Sequence, residues 1–253
     1  MSNVLEAGFW GFVGGSALIL GALIAYFASL PQRLIAGVMA IGSGVLISAV
    51  AFDLMDRAFH TGGFASTALG FLGGALVYTV ANVLVSRKGA RHRKRSGSNP
   101  NESQDGVQTN SGVAIAIGAL LDGIPESVVI GVSLLAGGGV SAVTVAAVFL
   151  SNVPEGLSSA AGMKKAGRGP AYIFGVWGGI AAASGIAAMI GNVALAGASP
   201  DLVAAVMAVA AGAILSMLVD TMIPEATEAT HEYSGLIAVL GFLLAFVLSK
   251  MGG

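Results

Sequence analysis

Three carboxylates, Asp122, Glu126 and Glu155, lie inside long apolar runs of this 253-residue chain. An ionisable group at membrane depth costs at least a few kcal/mol, so it points to function by default. Their surroundings repeat. Leu121-Asp122-Gly123-Ile124-Pro125-Glu126-Ser127 matches Leu150-Ser151-Asn152-Val153-Pro154-Glu155-Gly156 at an offset of 29 residues. Asp122 and Glu126 are four apart and share a helix face, as do Ser151 and Glu155. Each proline removes a backbone donor and frees the carbonyl of Leu121 or Leu150, and such a carbonyl in lipid needs a partner or a cation. The pocket expected from the two motifs offers three carboxylates, the Ser151 hydroxyl, the Asn152 carboxamide and loose carbonyls. Three carboxylates at low dielectric need compensating charge. A divalent cation supplies it, and all-oxygen ligation suits Mn, Mg or Ca.

The elements that must position these groups are membrane helices. Hydrophobic residues make up 55% of the chain and charged residues 10%, where a soluble domain carries about 25% charged. Apolar runs of about the 20 residues needed to cross a bilayer occur near 9–30, 34–52, 64–86, 111–135, 141–163, 171–198, 202–223 and 234–250. The expectation is an all-α membrane protein of eight transmembrane helices forming one transporter domain over residues 1–253. The fourth and fifth spans, joined by a short turn at residues 137–139, run antiparallel with their motifs about a dozen residues, or about 18 Å, from either end. Both motifs therefore belong near the midplane.

With eight spans, ten of the twelve Lys and Arg fall in loops on one side, six of them between Arg87 and Arg95. The positive-inside rule makes that side cytoplasmic. Both termini then lie outside the cytoplasm, and the loop 87–110, whose part 96–110 reads as disordered, lies inside. The first eight residues carry Glu6 and no Lys or Arg, unlike a cleavable signal peptide, so the first span is expected to remain. Glycines spaced four apart, Gly11/Gly15, Gly70/Gly74 and Gly175/Gly179, read as tight helix packing in lipid. There are no cysteines, which excludes disulfides, zinc-thiolate sites and iron–sulfur clusters.

A second polar set, Asp220, Glu225, Glu228, His231 and Glu232, lies at the cytoplasmic end of the seventh span, with Asp220 the deepest. Asp220, Glu225 and His231 form a candidate exit path for a cation. Asp53, Asp56 and His60 form a weaker candidate for collecting cations outside. Residues 44–55 and 212–223 share a small-apolar pattern around Ser48 and Ser216, each leading into an acidic helix end and running in opposite directions. That is the character of an inverted repeat, which is typical of secondary transporters with midplane sites. No Ser-His pair can form at the midplane, because His60, His92 and His231 all lie outside it, so an embedded hydrolase is disfavoured and no enzyme activity is expected. A proton-coupled transporter of a small organic solute, using the same carboxylates, is the alternative.

The paired Pro-Glu motifs, with the Ile-Pro-Glu-Ala of residues 223–226, resemble the ZIP (Zrt/Irt-like) family of divalent metal transporters. The resemblance covers nearly the whole chain. It implies a 3+2+3 helix arrangement, an elevator-type or rocking alternating-access cycle, and a homodimer in the plasma (inner) membrane. It also implies transport of zinc, manganese or iron(II) as substrate, with membrane lipid and metal ions as partners and neither an organic cofactor nor nucleic acid. Where the family's fourth-span motif reads His-Asn-x-Pro-Glu-Gly, this chain has Asp122 for the His and Gly123 for the Asn. The fifth span has Ser151 and Asn152 where the family has His or Gln, then Asn or Asp. Residues 178–183 lack the carboxylate often found in the sixth span. The implied metal ligands are Asp122, Glu126, Ser151 and Glu155, with Asn152 the remnant of a second site. Losing imidazole makes the pocket harder and shifts it away from strict zinc selectivity.

Overall fold

A computed structural model describes residues 3–85, 87, 111–136 and 142–251, with the side chains of 111–117, 136, 142 and 143 left aside. The basic block from Lys88 onward, the linker 96–110, His92 and the turn 137–139 lie outside the described residues. Helix accounts for nearly all that is described, and no strand occurs among those residues. In order, the helices are α1 (Asn3–Phe27), α2 (Gln32–Ala49), α3 (Asp56–Val85), α4 (Ser111–Ser133), α5 (Ala142–Lys165), α6 (Pro170–Leu195), α7 (Pro200–Met217), α8 (Ile223–Thr230) and α9 (Ser234–Met251).

Local sequence explains most boundaries. Pro170 and Pro200 open α6 and α7 at the first turn, where the missing N–H is no loss. Ser199 caps α7, its Oγ accepting from the Leu202 N–H at 3.3 Å. Gly167 and Gly197, at φ 75° and 77°, end α5 and α6 in the left-handed conformation open to glycine.

The expected stop at Asp53 is not there. Helix continues through a π-helical segment, Val50–Met55, straight into α3. The physical reason is local: Arg57, one turn on from Asp53, pairs with its carboxylate, Nε to Oδ1 at 2.5 Å, so these polar residues extend the helix instead of ending it. The chain bends later, at Gly63 (φ 72°, ψ −172°), a conformation essentially restricted to glycine. The seventh run behaves alike. It passes through a second π-segment, Leu218–Met222, into α8, and bends at His231 (φ 46°, ψ −122°). The sixth run, α6, is one continuous helix without an elbow.

Four helical stretches among the described residues, Asn3–Phe27, Gln32–Val85, Pro170–Leu195 and Pro200–Met251, are long and apolar enough to cross a membrane. Their surfaces agree. Leu69, Leu72, Leu76 and Val80 on α3, Ile186, Ile190 and Val193 on α6, and Leu236, Leu240, Leu243 and Val247 on α9 are all exposed, in outward apolar stripes at helical spacing. Exposed apolar patches of that extent mark a surface built to contact something other than water. The interior meanwhile buries Ser43, Ser48, Thr67, Ser158, Ser184 and Asn192.

Two groups of helices emerge. In the first, α1 packs on α5 and α6, and α4 packs on α6. In the second, α3 packs on α7 and α2 on α8 and α9. The groups meet chiefly where α2 crosses α5 and α4 crosses α7. Glycine makes the close crossings possible. A Cβ on Gly44 would overlap the Ala238 carbonyl, one on Gly241 the Ile41 carbonyl, and one on Gly74 the Val209 carbonyl. Of the glycine pairs singled out by spacing, Gly11/Gly15 and Gly70/Gly74 sit at such contacts. Gly175 and Gly179 do not: nothing lies within 4 Å of a Cβ at either. The spacing repeats, but that face of α6 packs against no described neighbour.

Candidate metal path

The fifth-helix motif is gripped from two sides. Asn152 Nδ2 donates to the Gly14 carbonyl of α1 at 3.1 Å. Gly156 lies against the Leu18 backbone, Val153 against Gly21, and Pro154 against Gly42 of α2. A turn held by backbone contacts on α1 and α2 fixes the direction in which Ser151 and Glu155 leave the helix. Both are buried, at 1% and 4% exposure, and the Ser151 hydroxyl donates to the Val148 carbonyl at 2.9 Å.

The fourth-helix motif docks elsewhere. A Cβ on Gly131 would overlap the Ala188 carbonyl, and Gly191 lies against Val128, so α4 is held to α6. Its Asp122 and Glu126 are each 1% exposed. Tyr78 Oη, from the C-terminal half of α3, donates to Asp122 Oδ1 at 2.7 Å. Spacing alone did not single out Tyr78. An aromatic residue in an apolar span reads as packing, and its partner is 44 residues away. The one available signal was that a fully buried tyrosine needs a partner for its hydroxyl. Tyr78→Phe is expected to lower stability by about 1–3 kcal/mol, the range for removing one member of a buried hydrogen bond to a charged group. Thermal unfolding in detergent reads the shift, with Tyr233→Phe, exposed at the helix end, expected to leave the melting temperature where it is.

The two motifs do not form the side-by-side hairpin that their sequence proximity predicts. α4 and α5 touch only briefly, because α4 lies on α6 and α5 on α1. Among the described residues, no three His, Asp or Glu side chains converge closely enough to hold a metal ion in this conformation. The structure thus buries Asp122, Glu126, Ser151, Asn152 and Glu155 in the two motifs. It commits Asn152 to the α1 backbone and Asp122 to Tyr78.

Beyond the motifs, two further carboxylates among the described residues are buried. Asp53, 5% exposed, accepts from Thr144 Oγ1 of α5 at 2.5 Å and pairs with Arg57. Glu225, 3% exposed, accepts from Ser158 Oγ of α5. Ser158 lies one helical turn from Glu155 and fourteen residues from Thr144, so α5 carries a hydroxyl toward each end, and each donates to a carboxylate on the opposite helix group. Of the candidate exit residues only Glu225 is interior. Asp220 is exposed and accepts from Asn82 Nδ2 at 3.3 Å, and His231 is exposed at the bend.

A cavity of about 630 Å³ opens at the Asp53 end, lined by Asp53, Asp56, Arg57, His60, Thr144 and Met207 among others. His60 Nε2 and Asp56 Oδ1 are 3.5 Å apart on its exposed rim. A separate void of only about 10 Å³, bordered by the first π-segment and α4, is lined by Asp53, Thr144, Val148 and Glu126. Asp53 and Thr144 line both, so they stand between the open vestibule and the Glu126 carboxylate. Compared with known proteins, the chain matches no protein-family model and no curated protein.

Proposed function

We propose that the chain carries a divalent metal cation across a membrane by alternating access, in the manner of the ZIP transporters, with Glu126 and Glu155 as the principal ligands and Asp122 and Ser151 beside them. The observation that carries this reading is the burial of Asp53, Asp122, Glu126, Glu155 and Glu225 inside an apolar helical protein. Asp53 lines a vestibule, Glu126 shares a small void with Asp53, Glu155 is buried on α5, and Glu225 accepts from Ser158 of that same helix. Buried carboxylates in this number weaken a fold that has no use for their charge. A cation passing between them supplies that use. The cargo is hard and oxygen-liganded, manganese or iron(II) beside zinc.

Eight crossings are supported by length. Gln32–Val85 has 54 residues and Pro200–Met251 has 52, each about 80 Å of helix against a hydrocarbon core of about 30 Å. Each also carries one sharp bend, at Gly63 or His231. α4 and α5 complete the eight as the middle pair of a 3+2+3 order.

An inverted repeat is supported by reciprocal packing. Gly44 approaches the Ala238 carbonyl and Gly241 approaches Ile41, while Gly212 approaches Phe71 and Gly74 approaches Val209. Moving 168 residues along the chain takes Ile41 to Val209 and Gly44 to Gly212. Moving 167 takes Phe71 to Ala238 and Gly74 to Gly241. A similar reciprocity links the α1–α5 and α4–α6 crossings: moving 170 residues takes Leu18 to Ala188 and Gly21 to Gly191, and moving back 25 takes Val153 to Val128 and Gly156 to Gly131. Two helix groups related in this way are suited to rock or slide past one another.

Sidedness rests on the positive charges, with Lys164 and Arg168 against the Tyr26 and Tyr172 rings as an interfacial aromatic belt. The vestibule then faces outward, as do both termini. The deciding measurement is uptake into proteoliposomes holding a metal-sensitive dye, with Zn, Mn, Fe(II), Cd, Mg and Ca offered in parallel. Saturable flux of at least one transition metal is expected, with Mn or Fe(II) among those carried. Folded protein that moves none of them would overturn the metal reading.

A further inference from the structure

Asp53 is the first buried carboxylate a cation would meet on leaving the vestibule, and both its oxygens are already engaged. Arg57 Nε sits 2.5 Å from Oδ1, and Thr144 Oγ1 sits 2.5 Å from Oδ2. The partners differ in access. The Arg57 side chain is 41% exposed and lines the vestibule, whereas that of Asp53 is 6% exposed and also borders the small void that Glu126 lines.

A carboxylate placed to attract a dication is thus neutralised by a monovalent cation of the protein's own. The guanidinium hangs on a long, flexible stem, and the side chain is 41% exposed. It is anchored one helical turn from Asp53, so its local concentration there is fixed and high. It cannot be washed away, yet it can swing out into the vestibule at modest cost, because its charge is partly hydrated already.

Resting on the transport reading, we propose that Arg57 is a tethered counter-cation that gates entry. An incoming divalent cation must take the Asp53 carboxylate from the guanidinium before it can move on toward Glu126. In an empty vestibule Arg57 holds the entry closed and α5 docked through Thr144. At sufficient cation concentration the double charge outcompetes the single one, and the displaced guanidinium turns outward to the water of the vestibule. Arg57 therefore sets the concentration at which transport begins, while the midpath carboxylates set the rate and the choice of metal.

The test is the KM and kcat of manganese(II) uptake into proteoliposomes for wild type and four variants of the full chain. Arg57→Gln removes the competitor and is expected to lower KM by about fivefold, equivalent to about 1 kcal/mol, with kcat little changed. Arg57→Lys keeps the tethered charge and is expected to keep a KM close to wild type. Asp53→Asn is expected to raise KM, and adding Arg57→Gln to it is expected to change nothing further, since the arginine acts only through the carboxylate. Should Arg57→Gln fold poorly, its kcat falls and the lysine form still reports whether charge is what matters. An unchanged or raised KM in Arg57→Gln, or a lowered KM in both Gln and Lys forms, overturns the gate while leaving metal transport intact. If wild type carries no transition metal at all, the transport reading falls and the gate with it.

Discussion

Glu126→Gln is expected to reduce saturable metal uptake by about two orders of magnitude or more, without lowering the melting temperature. The first half follows from charge. Outer-shell partners of a metal site already cost about 10–100-fold when removed, and an amide in place of a ligating carboxylate deletes a full negative charge from a site that is 1% exposed. The second half follows from burial. Glutamine matches glutamate in volume, so packing is kept, and a neutral side chain is easier to bury than a charged one. A glutamate retained only to hold helices together would behave the other way, losing stability and leaving flux proportional to folded protein. Glu155→Gln is expected to behave like Glu126→Gln. Asp220→Asn is the control. Its carboxylate is exposed and bonded to Asn82, away from the void that Asp53 and Glu126 line, so its uptake is expected to stay near wild type. Full uptake by Glu126→Gln, or a loss as deep in Asp220→Asn, would remove Glu126 from the metal path.

What could be read from the sequence, and what could not, divides along range. Helix starts at Pro170 and Pro200 and ends before Gly167 and Gly197 are written in single residues, because proline and glycine act through their own backbone. The repeated Pro-Glu motif is likewise local, and its carboxylates are all interior. The polar partners are a different matter. Tyr78 with Asp122, Thr144 with Asp53, and Ser158 with Glu225 are 44, 91 and 67 residues apart, and in each case the donor is a residue type common in any apolar helix. Spacing also misled where it was short. α4 and α5 follow one another closely, but the glycines at 21, 131, 156 and 191 bring each nearer to a helix of another span than to its neighbour. Asp53 marked a helix end by composition alone. The Arg57 four residues later is what turns that polar cluster into a continuation.

The second large effect expected is steric and tests the packing that holds the path in place. Gly44→Leu is expected to unfold the protein or prevent its accumulation, because a Cβ at Gly44 already overlaps the Ala238 carbonyl and lies 2.7 Å from the Phe242 nitrogen. Both obstacles are backbone atoms in the middle of α9, which cannot rotate away as a side-chain end can. Relief therefore requires α2 and α9 to separate along their length, and overpacking that cannot relax by a rotamer change exceeds the usual cost of about 1–3 kcal/mol. Helices in lipid lack a hydrophobic drive to stay together once close packing is lost, so separation is not reversed by burial elsewhere. Gly212→Leu, meeting the Phe71 carbonyl, is expected to be equally damaging, while Gly37→Leu and Gly175→Leu, with nothing within 4 Å of the added Cβ, are expected to be tolerated. Size-exclusion monodispersity and melting temperature in detergent measure all four. Equal tolerance of Gly44→Leu and Gly37→Leu would mean that α2 and α9 are not in backbone contact. The reciprocal relation between the Gly44 and Gly212 crossings, on which the inverted repeat and the rocking of two helix groups depend, would then have no packing to support it.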